Sequence, residues 1–233
     1  MKRLLQRVGQ LAGIQNAVIE QQLRSGPTND RWLLNSDQGR MILTLDHPLA
    51  SALKLDREFQ VGMLNARAAS GLGPEPVLWD IDSRVLLVRY VDGVSMTIAQ
   101  FCQQENLSRV ARLLRLLHSL DVGNLPPTTT LQDKIHVYAE LANTAQADAL
   151  QTEAELLLTR WQGQDDRAVL CHNDVNHGNV IGGEKLQLID WDYAAPGDGW
   201  FDLATVVSYH RLGDDAARSL LRVYGGEESA SDY

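Results

Sequence analysis

The chain has 233 residues, with apolar and charged shares of 44% and 22% that suit an ordinary globular protein large enough for one big domain or two lobes. A net charge of −9 argues against nonspecific nucleic-acid binding, which draws its affinity from a basic surface. The two cysteines, Cys102 and Cys171, are too far apart in sequence for a CxxC pair, and no apolar run is long enough for a bilayer, so a disulfide scaffold and a membrane span are both set aside.

The first residues, MKRLLQRVGQLAGI, lack the unbroken apolar core and cleavage site of a secretory signal. They read instead as an amphipathic helix with Leu4, Leu5, Val8, Leu11 and Ile14 on one side, and a cytoplasmic location is expected. Three strands follow, at Ala17 to Leu23, Trp32 to Asn35 and Met41 to Leu45, separated by the turn sequences GPTN and SDQG. A helix is expected from about Ala50 to Ser70, then a hairpin of Pro76 to Trp79 and Val85 to Tyr90. Together these make a five-stranded, mostly antiparallel sheet with one helix inserted after the third strand.

Beyond Asp92-Gly93 the periodicity turns helical. Leu107 to Leu120 carries Val110, Leu113, Leu114 and Leu117 at helical spacing. A loop rich in Pro and Thr (126–130) leads to a helical stretch from about Leu131 to Trp161. Short strands at Ala168 to Cys171 and Leu186 to Ile189 precede helices at Leu203 to Arg211 and Ala216 to Tyr224, and the polar tail from Glu227 is expected to be disordered. The fold class is therefore α+β with two lobes, 1–92 and 93–233, and a cleft between them.

The chemistry concentrates in LCHNDVNHGNVIGGEKLQLIDWD, Leu170 to Asp192. An apolar strand delivers His172 and Asp174, with Asn179 five residues after Asp174. Two short apolar runs flank Gly182-Gly183, a hairpin signal that would bring Asp190 to the same end as Asn179. An amide and a carboxylate side by side offer hard oxygen ligands of the kind magnesium prefers. Phosphoryl transfer needs such a metal and a carboxylate to take the proton of the attacking hydroxyl, a task for which Asp174 is placed. His172 is expected to brace the loop. Asp and Asn also serve ordinary turns, but four such residues in this order outweigh that reading.

The pattern HxDxxxxN followed by IDWD resembles the aminoglycoside phosphotransferase and choline kinase superfamily, relatives of the protein kinases. CHNDVNHGN and LIDWDYAAPGDGWFDLATV are most similar to its choline, ethanolamine and thiamine kinase branch. The resemblance implies a two-lobed, protein-kinase-like fold using ATP and magnesium (Mg2+). It implies Asp174 as catalytic base, with His172 beside it, and Asn179 and Asp190 as metal ligands. SGPTNDRWLL resembles the phosphate-covering turn, which implies Gly26, Thr28 and Asn29 over the phosphates. LDREFQ resembles the lobe-spanning helix and implies Glu58 as its acid. LLVRYVDG resembles the inter-lobe hinge, where backbone amides near Tyr90 and Val91 would meet adenine.

Two features depart from that pattern. The third strand of this family usually ends in a Lys or Arg that touches the phosphates, and Thr44 stands there. Threonine donates a hydrogen bond but carries no charge, so either Arg40 or Lys54 is expected to reach in, or nucleotide is held weakly. A noncatalytic nucleotide-binding regulator is the rival reading that Thr44 opens. The chain is also short for the family, which usually continues with more helices around the substrate.

Trp191, Asp192 and Trp200, with Tyr193 and Asp202 between and beyond them, suggest an aromatic and acidic site for an ammonium group. The expected acceptor is a small cationic alcohol of the choline, ethanolamine or thiamine type, ahead of an aminoglycoside or sugar. Asp202, at the start of an apolar helix, is given a structural role.

Overall fold

The computed structural model describes residues 1–23, 25–67, 70–121, 129–161 and 168–226. Most of the Pro- and Thr-rich loop and the polar tail lie outside the described residues.

Helix α1 (Lys2–Ala12) ends at Gly13, whose left-handed φ of 66° lets its N–H return to Gly9. Behind it runs a fully antiparallel sheet of β1 (Val18–Gln22), β2 (Asn29–Ser36), β3 (Gly39–Asp46), β4 (Pro76–Asp80) and β5 (Val85–Arg89), in the order β1-β2-β3-β5-β4. Strand alternation gives the sheet two unlike faces. Trp32, Leu34, Met41, Leu43, Val85 and Leu87 point to one side, where Leu4, Leu5 and Val8 cover them. Leu11, expected on that helix face, is instead 52% exposed. Arg31, Ile42, Thr44, Leu86 and Val88 point to the other side and line a cleft.

The helix expected over Ala50 to Ser70 is broken into α2 (Pro48–Ala52) and α3 (Arg57–Arg67). Lys54 between them takes a left-handed φ of 52°, and Asp56 caps the second helix by accepting the Phe59 N–H at 2.8 Å. A helical apolar period survives such a break, because the same side of the chain is still needed for packing.

The chain then passes β6 (Val94–Ser95), α4 (Ile98–Phe101), α5 (Gln104–His118), α6 (Leu131–Ala142) and α7 (Ala145–Trp161). The single helix expected over Leu131 to Trp161 is two: Asn143 turns left-handed with φ 45°, a conformation asparagine tolerates, and Thr144 accepts from the Ala147 N–H to start the next helix. The rest comprises β7 (Val169–Cys171), β8 (Val180–Gly182), β9 (Gln187–Leu188), β10 (Ala195–Gly197), α8 (Gly199–Tyr209) and α9 (Asp214–Tyr224). β6, β8 and β9 form one small sheet, and β7 and β10 another. A second core joins Phe59 and Met63 of α3 to Leu107, Leu114 and Leu117 of α5, Leu170, Leu188, and Leu203 and Leu220 of the last two helices. At the junction with the sheet, Gly93 has φ 137°, and a Cβ there would sit 2.5 Å from the Gly182 carbonyl oxygen. Only glycine allows that approach.

Candidate active site

Strand β7 is buried, and the chain leaving it is pinned from below. Asp202, wholly buried in the first turn of α8, accepts the His172 N–H at 2.9 Å and the Asn173 N–H at 2.7 Å. His118 Nε2 approaches the same carboxylate at 3.0 Å, and His118 Nδ1 meets the Tyr224 hydroxyl at 2.8 Å. His118, Cys171 and Asp202 lie within metal-ligating reach of one another, but the oxygens of Asp202 and both ring nitrogens of His118 are already engaged in those hydrogen bonds. The structural role expected of Asp202 thus takes the form of a clamp on the loop that carries Asp174.

Asp174 accepts from Asn176 Nδ2 at 3.0 Å and from Asn179 Nδ2 at 2.7 Å. Burial pushes its carboxyl above the usual carboxylate range, against the pull of these two amides. His172 is fully buried, with Nε2 3.0 Å from the Ile189 carbonyl and its ring edge-on to Trp191. It therefore links the loop to the strand end that presents Asp190.

β8 pairs with β9 through Val180↔Leu188 and Ile181↔Gln187, and the Ile189 N–H reaches the Asn179 carbonyl at 2.9 Å. Asn179 and Asp190 thus stand at the same end, as the sequence requires. The connection between the strands is longer than a two-residue turn, and neither Gly182 nor Gly183 has a positive φ. Asp190 itself is left-handed, with φ 64°. Burial works against its ionisation, but Arg31 outweighs burial: Nη1 and Nη2 fork onto the carboxylate at 3.0 and 2.7 Å and hold it below the usual range.

Two cavities open on this segment. The cleft under the sheet, about 300 Å³, has Ile42, Leu86, Val88 and Ile181 as apolar walls, Tyr90 and Val91 at its hinge, and Asp190 and Asp192 at its floor. A second cavity, about 270 Å³, is lined by Leu131, Lys134, Tyr138, Asp174, Tyr193 and Phe201. Asp190 faces the first and Asp174 the second.

The other expected site residues are distributed as follows. Gly26, Thr28 and Asn29 form the turn into β2, closed by Gly26 N–H to Asn29 O at 3.0 Å; the Asn29 amide touches Thr28 and, at 3.4 Å, Asp192. Glu58 is exposed and away from the cleft, and its neighbour Arg57 faces inward instead. Arg57 forks onto Asp46 at 2.9 and 2.7 Å, reaches Gln60 at 2.6 Å and bonds Asp192. Arg40 pairs with Asp92 and lies over the Tyr90 ring, while Lys54 lines a separate groove, so neither fills the place beside Thr44. Trp191 is 3% exposed and donates to the Leu188 carbonyl at 2.8 Å, Asp192 belongs to Arg57, and Trp200 is 47% exposed. The aromatic and acidic enclosure expected from Trp191, Asp192 and Trp200 is not assembled, because packing and ion pairing take the first two, and none of the three lines the second cavity.

Sequence reasoning passed over Arg31, Arg57, Lys134 and Tyr138. For Arg31 a signal was present: a hairpin turning between Ser36 and Gly39 sets Arg31 opposite Thr44. The donor set at Asn179 and Asp190 suits a hard divalent cation. Asn179 gives its side-chain N–H groups to Asp174 and leaves its side-chain Oδ1 available to a cation, and the spot already attracts a guanidinium to Asp190 and, at 3.7 Å, to Asp192.

A family model described as the phosphotransferase enzyme family, APH, matches residues 20–233. The chain belongs to that family. Among curated members, Protein LicA of Haemophilus influenzae is 28% identical over 207 residues, 85% of this chain and 60% of the relative. Probable choline kinase 1 of Arabidopsis thaliana is 24% identical over 226 residues, covering 88% of this chain and 64% of that protein. The chain thus spans about 60% of the length of the first of these relatives. The crystal structure of choline kinase LicA from Streptococcus pneumoniae superposes with a TM-score of 0.77 at 19% identity, covering 98% of this chain and 80% of that one. The expected α+β, protein-kinase-like fold, with a small antiparallel-sheet lobe and a larger helical lobe, is therefore the observed fold.

Proposed function

We propose that the chain transfers the γ-phosphoryl group of ATP to a hydroxyl of a small alcohol. The observation that carries this reading is that Asp174 and Asp190, from one continuous segment, face two different cavities. A phosphoryl donor in the cleft and an acceptor in the second cavity would meet between them.

In this reading residues 1–92 form the nucleotide-binding lobe and 93–233 the lobe carrying the catalytic loop. The apolar walls of the cleft take the adenine, with backbone amides near Tyr90 and Val91 as its partners, and the turn at Gly26, Thr28 and Asn29 covers the phosphates. Asn179 and Asp190 would hold magnesium, which would supply neutralisation of the phosphate oxygens. Asp174 accepts the proton of the attacking hydroxyl, and its raised affinity for a proton suits that task. Asp202, His118 and His172 keep Asp174 in place. Among the described residues no helix is long and apolar enough to cross a membrane, and use of ATP suits the cytoplasm.

An amino alcohol of the choline or ethanolamine type is the first acceptor to test, because relatives carry the names choline kinase and ethanolamine kinase, and Tyr138, Tyr193 and Phe201 supply aromatic surface. A neutral polyol, such as a sugar, is favoured by one specific observation: Lys134 sets a cation in the same cavity, its Nζ 3.0 Å from the Tyr193 carbonyl. The deciding experiment is ATP consumption against a panel of cationic and neutral alcohols, with Asp174→Asn as control. Unchanged turnover in the variant would remove Asp174 as the base. ATP binding without turnover on any acceptor would favour the noncatalytic regulator.

A further inference from the structure

The cleft raises a problem of charge. An ATP triphosphate needs cations besides the metal, and β3 offers Thr44 where the resemblance calls for a basic side chain. The hairpin of β2 and β3 is in unbroken register from Asn29↔Asp46 to Ser36↔Gly39, and in it Arg31 is the direct cross-strand partner of Thr44. Directly opposed residues share a sheet face and stand about 4.5–5.5 Å apart at Cβ, well within the reach of an arginine. Both side chains line the same cleft.

The other basic residues near the cleft are committed elsewhere. Arg57 is 4% exposed and uses all three guanidinium nitrogens on Asp46, Gln60 and Asp192. Arg89 donates to the Gln38 carbonyl at 2.6 Å, away from the floor. Arg40 is held by Asp92 and the Tyr90 ring. The Arg31 side chain keeps 25% exposure, and its partners are the carboxylates of Asp190 and Asp192. Asp190 is the acid that a divalent cation would take, and that exchange would leave the Arg31 fork facing the cleft.

We propose that Arg31 is the phosphate-contacting cation of this chain, moved one strand over from the position occupied by Thr44. Resting on the kinase reading for its ligand, the assignment makes Arg31 a binding residue with two states. Without nucleotide it neutralises Asp190 and Asp192 and keeps them from repelling each other. Were Asp190 to ligate a divalent cation alongside ATP, the Arg31 guanidinium would be released to the phosphate oxygens, which would accept its fork as a carboxylate does. No covalent step is involved.

The test is calorimetry with ATP and with adenosine, in magnesium and in chelator, on the wild type, on Arg31→Gln and on the double exchange Arg31→Thr with Thr44→Arg. Thermal melting accompanies each protein to score folding separately. Arg31→Gln should weaken ATP on the order of tenfold to a hundredfold, the usual scale for a charge-assisted pair, and leave adenosine within about twofold. The exchange should recover most of the lost ATP affinity, because the same face of the sheet again carries one guanidinium. Equal losses for ATP and adenosine, an unchanged ATP affinity in Arg31→Gln, or an exchange variant no better than Arg31→Gln would each overturn the assignment. A wild type that binds ATP by this pattern yet turns over no acceptor would leave Arg31 assigned and sink the kinase reading alone.

Discussion

The cleft under the sheet and the second cavity draw Asp190 and Asp174 from one segment of chain, yet they treat these two carboxylates in opposite ways. At the cleft floor Asp190 is forked by Arg31 and held below the usual carboxylate range, while its neighbour Asp192, paired with Arg57, is pushed above that range by burial. In the second cavity Asp174 has only neutral amides on its oxygens, and burial moves it above that range. In the proposed reading, a group that grips a cation would have to stay ionised, and a group that accepts a proton would gain from wanting one. Environment, not residue type, separates the two carboxylates.

The strongest way to break this comparison is to replace Asp174, the proposed proton acceptor. Asp174→Asn should lower acceptor-dependent ADP formation by about 10²- to 10⁴-fold while ATP affinity by calorimetry stays nearly unchanged. An equal fall in both would mean that the two cavities are not functionally distinct. Next in size, Arg57→Met should cost about 3–5 kcal/mol in denaturant unfolding, since it strands Asp46 and Asp192 as buried charges without their shared partner. A loss below about 1 kcal/mol would show that water reaches those acids.

The second cavity allows a finer distinction. Lys134 sits with Nζ 5.5 Å from the Tyr193 ring centroid, and burial lowers its hold on a proton, with Asp56 and Asp192 opposing. Replacing it with Met should raise kcat/KM for a cationic acceptor relative to a neutral one by about fivefold to thirtyfold, the effect of removing a like charge roughly 8 Å away at an effective dielectric near 20. A ratio that falls would place the ammonium on the side of cationic substrates. The smallest effect is on pH. Activity requires ionised Asp174, so the acid limb of kcat/KM should lie above the ordinary carboxylate range and fall away as pH drops through the raised value. Asn176→Ala removes a donor that favours the ionised form, so that limb should move to higher pH by up to about one unit. A shift to lower pH would contradict the burial argument.

Much of this arrangement was legible before any coordinates. The five strands and their turns follow from alternation and from the GPTN and SDQG punctuation, and the closeness of Asn179 to Asp190 follows from two short apolar runs that must pair. The breaks at Lys54 and Asn143 were not legible, because a left-handed residue leaves little trace in an apolar period. Glu58 and Arg57 are adjacent, and only the rotation of α3 against the sheet decides which of them faces the cleft. Trp191 could serve as well in a substrate enclosure as in a core, and the Leu188 carbonyl within reach of its indole nitrogen decided for the core.

By itself the sequence determined what depends on neighbours along the chain: strand and helix periods, the hairpin register that sets Arg31 against Thr44, and the order of carboxylates and amides from Leu170 to Asp192. Tertiary structure alone decided which charges share a space. Arg57 meets Asp192 across 135 residues and Lys134 meets Tyr193 across 59. Such meetings are set by how helices and sheet pack, and Coulomb energy depends on distance in space, about which separation along the chain says nothing.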